Sequence, residues 1–277
     1  CSLDGPLSFL MSFLKQYLAL TEIDGLYMEG IRNVFASYLA GRVDDAKYLW
    51  HQQFSSSLRP GDESKSLDLY GSEAMQFFKP LARSPLGRIR ALETVSGLSD
   101  SCLHQESKRF SSLRLNHSDV NLDDKIACLF KPQHRACSLC GGHAESILRV
   151  DSDPPPLLII PCDGNNISNS TLTTELFLPL ADTVVTYLLM FIGMKKTTMD
   201  HFVSFFRLYE HAWYYFDGML DPPLVPSRGP ESKLKFATAT FLVFATFEIL
   251  RESFKSALAE DEDPHIILSR PCRVEMR

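Results

Sequence analysis

Leu7, Leu10, Leu14, Tyr17 and Leu18 recur at helical spacing near the start of the chain, and Phe9 and Phe13 widen that apolar face. Pro6 is tolerated only in the first turn of a helix, so this helix is expected to begin within a few residues of Cys1. Tyr27, Met28, Ile31, Val34, Phe35, Tyr38 and Leu39 form a second broad face, and Gly41 is suited to stop it. Asp44 and Asp45 open a third helical run through Tyr48, Leu49 and Phe54. Residues 55–66, with Ser-Ser-Ser, Pro-Gly and Asp-Glu-Ser, read as a loop. Helical spacing returns from Ser72 to Phe78 and, beyond Pro80 and Pro85, around Leu86 to Val95. The chain up to roughly residue 100 therefore predicts mostly helix.

From Pro154 onward the pattern changes to that of strands. Pro-Pro-Pro-Leu-Leu-Ile-Ile reads as a buried strand after a proline start, Glu175 to Leu180 as a short strand, and Thr183 to Ile192 as a longer one. Two aromatic and β-branched runs, His201 to Phe206 and Trp213 to Phe216, flank a polar segment with Glu210 and His211, which predicts a β-hairpin. With its turn centred near Tyr209, His201 stands opposite Asp217, at a Cβ separation of roughly 5 Å. A Pro-rich loop from Asp221 to Pro230 leads to the apolar run Phe236 to Phe247. That run is too short to span a bilayer, contains three threonines, and is expected to be a buried strand or helix. Residues 251–277, with Glu260-Asp-Glu-Asp263, read as an acidic, partly disordered tail. Helices first and strands after predict an α+β fold.

Composition narrows the class only slightly. The 277 residues are 45% hydrophobic and 22% charged, ordinary for a globular protein with a substantial core. A net charge of −6 gives no overall attraction to nucleic acid or to an anionic membrane, so neither is expected as a partner. Lys108, Arg109, Arg114, Lys125, Lys131 and Arg135 gather with few acids, either facing an acidic partner or forming a solvated basic face. Seven cysteines without a regular framework favour a reducing compartment, hence an intracellular protein of the nucleus or cytoplasm. Sequons at Asn116, Asn166 and Asn169 matter only in a secreted chain, and no signal peptide is expected here.

Three groups of residues carry chemistry. A carboxylate beside an imidazole, Asp217 with His201, holds the ring in one tautomer so that it serves a nucleophile elsewhere. The same pair also fits a plain surface hairpin with a turn-initiating Asp-Gly. Cys1 precedes a helix, where free N–H groups and the macrodipole favour thiolate over thiol. The competing reading is a core cysteine at the end of a trimmed chain. Cys137-Ser-Leu-Cys140-Gly-Gly lets two thiolates turn onto one metal ion, which is half of a tetrahedral site for one structural zinc. Cys128 and Cys162, or His134 and His143, are the candidates to complete it, and the rival readings are a relic site or reduced cysteines in a turn.

An early Cys ahead of a Leu-rich helix, a Cys-x-x-Cys followed by a Pro-x-Leu-Leu-Ile strand, and a His-Phe strand with Trp-Tyr-Tyr-Phe-Asp occur in one order. This order resembles the ubiquitin-specific protease superfamily of cysteine peptidases, over residues 1 to about 250. Cys1-Ser-Leu-Asp4 is similar to the Cys-Trp-Leu-Asp start of the ubiquitin-specific-protease-like SUMO isopeptidases, with Ser2 in place of the aromatic. His201-Phe202 resembles the His-Phe of that branch, and Thr186 to Ile192 resembles the Tyr-x-Leu strand before the histidine. The resemblance implies a papain-like fold in one peptidase domain, 1–250, with a helical thumb (1–125), a finger-like region (126–165) and a β palm (166–250). It implies Cys1 as nucleophile, His201 as general base and Asp217 as its orienter, with aromatics such as Trp213 lining a narrow substrate channel. The oxyanion donor would stand just before Cys1. The partners implied are ubiquitin or SUMO and the proteins that carry them.

Two other functions compete. One is a catalytically inactive domain of the same fold that only binds a modifier. Alternatively Cys1 is a mature N-terminus whose own α-amine is the base, as in N-terminal-nucleophile hydrolases; those usually open on a strand, whereas Cys1 leads a helix. A purely structural helical and β domain is the general alternative.

Overall fold

Leu3, Leu7, Leu10 and Leu14 lie on one stripe, and Phe9, Met11 and Phe13 on the remaining faces, and all seven are buried. A helix apolar all round belongs in a core. It is α1 (Asp4–Tyr17), and it packs between two further helices and a large sheet. The computed structural model describes residues 3–17, 26–54, 77–97, 102, 104–110, 122–150, 153–162, 174–179, 183–196, 201–209, 212–230 and 237–246.

The next helices are α2 (Leu26–Leu39) and α3 (Val43–Phe54), close to the expected spans. Gly41 adopts φ of 76°, and the amides of Gly41 and Arg42 turn back to Tyr38 O and Ser37 O, a glycine-ended helix stop. Ile31, Val34, Ala46 and Trp50 join the α1 core, and Trp50 stacks on Phe77 at 4.7 Å. A short α4 (Lys79–Arg83) follows.

A separate four-stranded antiparallel sheet comes next: β1 (Ala91–Gly97), β2 (Gln105–Phe110), β3 (Gln133–Ala136) and β4 (His143–Val150), in the order β2-β1-β4-β3. Helix α5 (Leu122–Phe130) lies between β2 and β3 in the chain. The helical run expected around Leu86 to Val95 is thus overturned throughout: Leu86 lies in a turn after α4, and Ala91 to Val95 belong to β1. Strands β1 and β2 therefore fall within the first 125 residues.

The remaining strands are β5 (Leu157–Pro161), β6 (Glu175–Pro179), β7 (Val184–Lys196), β8 (Phe202–Tyr209), β9 (Ala212–Phe216), β10 (Leu224–Ser227) and β11 (Ala237–Thr246). They form one seven-stranded antiparallel sheet in the order β10-β9-β8-β7-β11-β5, with β6 also paired to β7. The apolar run near residue 240 is the strand β11, the first of its two expected states. Both faces of the sheet are covered, which is why β5 reads as an unbroken apolar run. Leu157 and Ile159 join the α1 core on one face, while Leu158 and Ile160 join a second core on the other. A β-bulge at Met190 interrupts the alternation, since Val243 pairs with Phe191 and Phe244 with Leu189. The bulge turns Met190 and Phe191 together toward the α1 side, where Phe191 meets Phe9 at 5.1 Å.

The fold is α+β, as expected, with a buried first helix against an antiparallel sheet. The acidic segment 251–277 lies outside the described residues. Among the described residues no helix is long and apolar enough to cross a membrane.

Candidate functional site

β7 and β8 meet at a narrow neck, where the amide of Lys196 donates to the carbonyl of His201 at 2.9 Å. Asp217 immediately follows β9, and its backbone is fixed by hydrogen bonds from its own amide to Pro223 O and from the Leu220 amide to its carbonyl. The β8–β9 register pairs Ser204 with Phe216 and Phe205 with Tyr215, so the hairpin is centred one residue later than expected. His201 therefore sits diagonally from Asp217 rather than directly opposite. The offset of two residues keeps both on one face, and the side chains meet: His201 Nε2 lies 2.6 Å from Asp217 Oδ1.

Asp217 is only 2% exposed, and its carboxylate takes four hydrogen bonds. Oδ1 accepts from His201 and from the Met219 amide at 3.0 Å. Oδ2 accepts from Lys196 Nζ at 2.8 Å and from the Tyr215 hydroxyl at 3.1 Å. Burial by itself would raise the carboxyl pKa. The bonds from Lys196, His201, Met219 and Tyr215 outweigh it and hold Asp217 well below the usual carboxylate range. Burial, with the nearby Asp217 charge, pushes the Tyr215 phenol up, so it stays a donor. An ionised Asp217 accepts from Nε2, so that ring nitrogen carries a proton and Nδ1 is the one that faces away from the carboxylate.

The first turn of α1 lies against these strand ends. A Cβ on Gly5 would collide with Ser204 Oγ of β8 and come within 3.2 Å of the Phe216 ring. Only glycine lets the helix approach this closely. A Cβ on Gly218, next to Asp217, would lie 4.0 Å from Asp4 Oδ2. Asp4 is pinned in turn by Lys47 of α3, whose Nζ is 2.5 Å from Asp4 Oδ1. Asp4 also places a negative charge at the favourable end of the helix. Cys1 and Ser2 lie outside the described residues, three and two positions before Asp4.

Trp213 is 8% exposed, on the face of β9 that builds the second core, with the Arg207 guanidinium 5.2 Å from its ring. Lys196 and Tyr215 were not singled out by the sequence. The available signals were the period of two, which places Tyr215 beside Asp217, and the short β7–β8 turn, which brings Lys196 back to His201.

A second constellation sits at the far end of the four-stranded sheet. The turns β1–β2 and β3–β4 close at the same end, since Gly97 pairs with Ala144. There Cys102, His104, Cys137 and Cys140 bring their ligand atoms within 4.8 Å of one another. Cys137 and Cys140 are thus joined by Cys102 and His104, not by the other expected candidates. Cys128 is exposed on α5, and Cys162 is buried in the core after β5, bonded to Ile160 O. His134 and His143 are likewise not in the cluster.

These residues fit a tetrahedral zinc. Bonds of about 2.3 Å to sulfur and about 2.0 Å to nitrogen give ligand separations of roughly 3.5–3.8 Å. Cys137 Sγ and His104 Nδ1 are 3.7 Å apart. Two glycines make the cradle: a Cβ on Gly97 would collide with the Cys102 carbonyl, and one on Gly142 would lie 3.2 Å from Cys102 Cβ and 3.4 Å from Cys140 Sγ. Backbone amides of Leu139 and Cys140 bring the Cys137 thiol down to about 6, toward the thiolate a metal requires. Cys102 is pushed the other way, to about 11, through its hydrogen bond with Cys140.

No family model and no curated protein matches the chain. Solved structures do. The Saccharomyces cerevisiae apo Pan2 pseudoubiquitin hydrolase–RNA exonuclease module, in complex with AACCAA RNA, is similar over 64% of this chain and 36% of its own, at 16% identity and a TM-score of 0.44. The Ubp8–Sgf11–Sgf73–Sus1 SAGA DUB module is similar over 73% of this chain and 47% of its own, at 13% identity and a TM-score of 0.44. This chain therefore spans less than half the length of each.

Proposed function

We propose that this chain is the peptidase domain (residues 1–250) of a cysteine isopeptidase that removes a ubiquitin-like modifier after its C-terminal Gly-Gly. The observation that supports the reading is the buried, ionised Asp217 on His201 Nε2, at 2.6 Å, beside the first turn of the helix that Cys1 precedes. In this reading the Cys1 thiolate attacks the carbonyl carbon after the terminal glycine, with His201 Nδ1 holding the thiol's proton. The same proton passes to the departing lysine amine as the tetrahedral intermediate collapses to a thioester. Water then adds to the thioester with His201 as base, releasing the modifier and restoring the thiol. Asp217 stays ionised throughout and stabilises the imidazolium.

The Cys102–His104–Cys137–Cys140 cluster holds one structural zinc in this account. A bound zinc supplies a cross-link between the two turns and takes no part in the peptidase steps. The partners are a modifier and its conjugates inside the cell, in the nucleus or cytoplasm, with a slight lean to SUMO over ubiquitin from Cys1-Ser-Leu-Asp4 and His201-Phe202. The test is cleavage of a Gly-Gly-linked isopeptide substrate by the full chain. The reading expects cleavage that Cys1→Ala and His201→Ala abolish, and full activity of Cys1→Ala would overturn it.

A further inference from the structure

Asp217 carries a second cation besides His201. Lys196 Nζ lies 2.8 Å from Oδ2, the oxygen that His201 does not use. The lysine is no loose surface arm, since its side chain is 29% exposed and its backbone amide donates to the carbonyl of His201 itself. Lysine and histidine thus face each other across the β7–β8 neck and reach one carboxylate from two sides. Each oxygen has two donors: Met219 N accompanies His201 on Oδ1, and Tyr215 accompanies Lys196 on Oδ2. Rotation of the carboxylate about its Cβ–Cγ bond breaks bonds on both sides at once, so its plane is fixed.

We propose that Lys196 is a positioning residue for the imidazole, locking the Asp217 carboxylate so that Oδ1 stays aimed at His201 Nε2. This inference rests on the isopeptidase reading for its consequence in catalysis, but its geometry stands without it. The cation also offsets part of the charge that Asp217 presents to the ring. A carboxylate with no second cation would bind the imidazolium more tightly and make the ring more basic. The other charged groups facing this corner are Asp4 and Lys47, already paired with each other, and the neutral Tyr215. Lys195 points elsewhere, over the Phe202 ring at 5.9 Å. Lys196 is therefore the one cation among the described residues that shares Asp217 with the histidine.

The experiment is a histidine titration by NMR on the full chain without substrate, comparing wild type with Lys196→Met, Lys196→Gln, Lys196→Arg and Tyr215→Phe. Thermal melts establish which variants fold. In Lys196→Met, and in Lys196→Gln should the Met variant not fold, His201 is expected to titrate higher by about one pH unit. Lys196→Arg restores the wild-type value to within a few tenths, and Tyr215→Phe, which removes a neutral donor, leaves it nearly unchanged. In the isopeptide assay the Lys196→Met loss falls on kcat rather than KM, and Lys196→Arg recovers it. An unchanged His201 titration in the charge-removing variants overturns the proposal, as does equal movement in Tyr215→Phe. Wild-type protein that cleaves nothing removes the isopeptidase reading alone, because the titration is read without turnover.

Discussion

His201 and Asp217 are joined by a 2.6 Å hydrogen bond although the sheet places them diagonally, at the ends of the neighbouring strands β8 and β9, rather than face to face. The imidazole reaches across the offset, and Lys196 on the next strand reaches the same carboxylate from the other side. Asp217 is therefore the centre of the arrangement.

Asp217→Asn keeps the shape of the side chain but removes the charge and offers an amide where an acceptor is needed. Isopeptide cleavage is expected to fall by about 10²–10⁴-fold in kcat. Far-UV circular dichroism should remain near wild type, since the asparagine fills the same volume. Activity within a few-fold of wild type would show that Asp217 does not orient the ring.

Asp217 also makes stability depend on acid. Its folded pKa is depressed by Lys196, His201, the Met219 amide and Tyr215 against the opposing effect of burial. The stabilisation is thus complete above the unfolded carboxyl value of about 4 and is lost as pH falls toward the folded value. Melting temperature measured from pH 6 down to pH 2 should fall more steeply for wild type than for Asp217→Asn. Parallel curves would contradict this.

Much of this was legible because periodicity survives where burial is one-sided or complete. The helices α1 to α3 and the strands β5 to β9 and β11 follow apolar spacing set by the two cores, whereas β10 lies inside the stretch expected to be a Pro-rich loop and is a strand paired to β9. The four-stranded sheet was not legible, because β2 and β3 are exposed along most of their length and show no alternation. Missing that sheet hid the rest of the cluster: Cys102 and His104 join Cys137 and Cys140 only because two strand connections close at the same end. Lys196 was hidden for another reason. A lysine ending an apolar strand reads as a solvated terminus until the β7–β8 neck turns it toward Asp217.

The metal cluster gives a direct chemical prediction. Protein purified without chelators should contain about one zinc per chain by elemental analysis. Chelation should lower the melting temperature, and Cys102→Ser or His104→Ala should lower zinc content as far as Cys137→Ser does. Full zinc content in Cys102→Ser would remove Cys102 from the ligand set. Cys128→Ser should leave zinc content unchanged.

Gly5 sets the distance between α1 and β8. Gly5→Ala forces its new methyl against Ser204 Oγ and the Phe216 ring, and is expected to cost about 1–3 kcal/mol of stability. Urea denaturation should show the loss. Isopeptidase activity should fall with it, because the helix start moves relative to His201. A variant as stable and active as wild type would mean that Ser204 simply rotates away.

The central claim is that Cys1 is a nucleophile served by His201, and modifier-based probes read it most directly. The full chain is incubated with SUMO or ubiquitin carrying a C-terminal propargylamide, and the adduct is weighed and mapped by mass spectrometry. The account predicts a single adduct on Cys1, faster with the SUMO probe, and lost in both Cys1→Ala and His201→Ala. Faster labelling by ubiquitin would reverse the modifier and keep the mechanism. Absence of labelling by either probe, with binding of the modifier retained, would contradict the claim and make this an inactive modifier-binding domain.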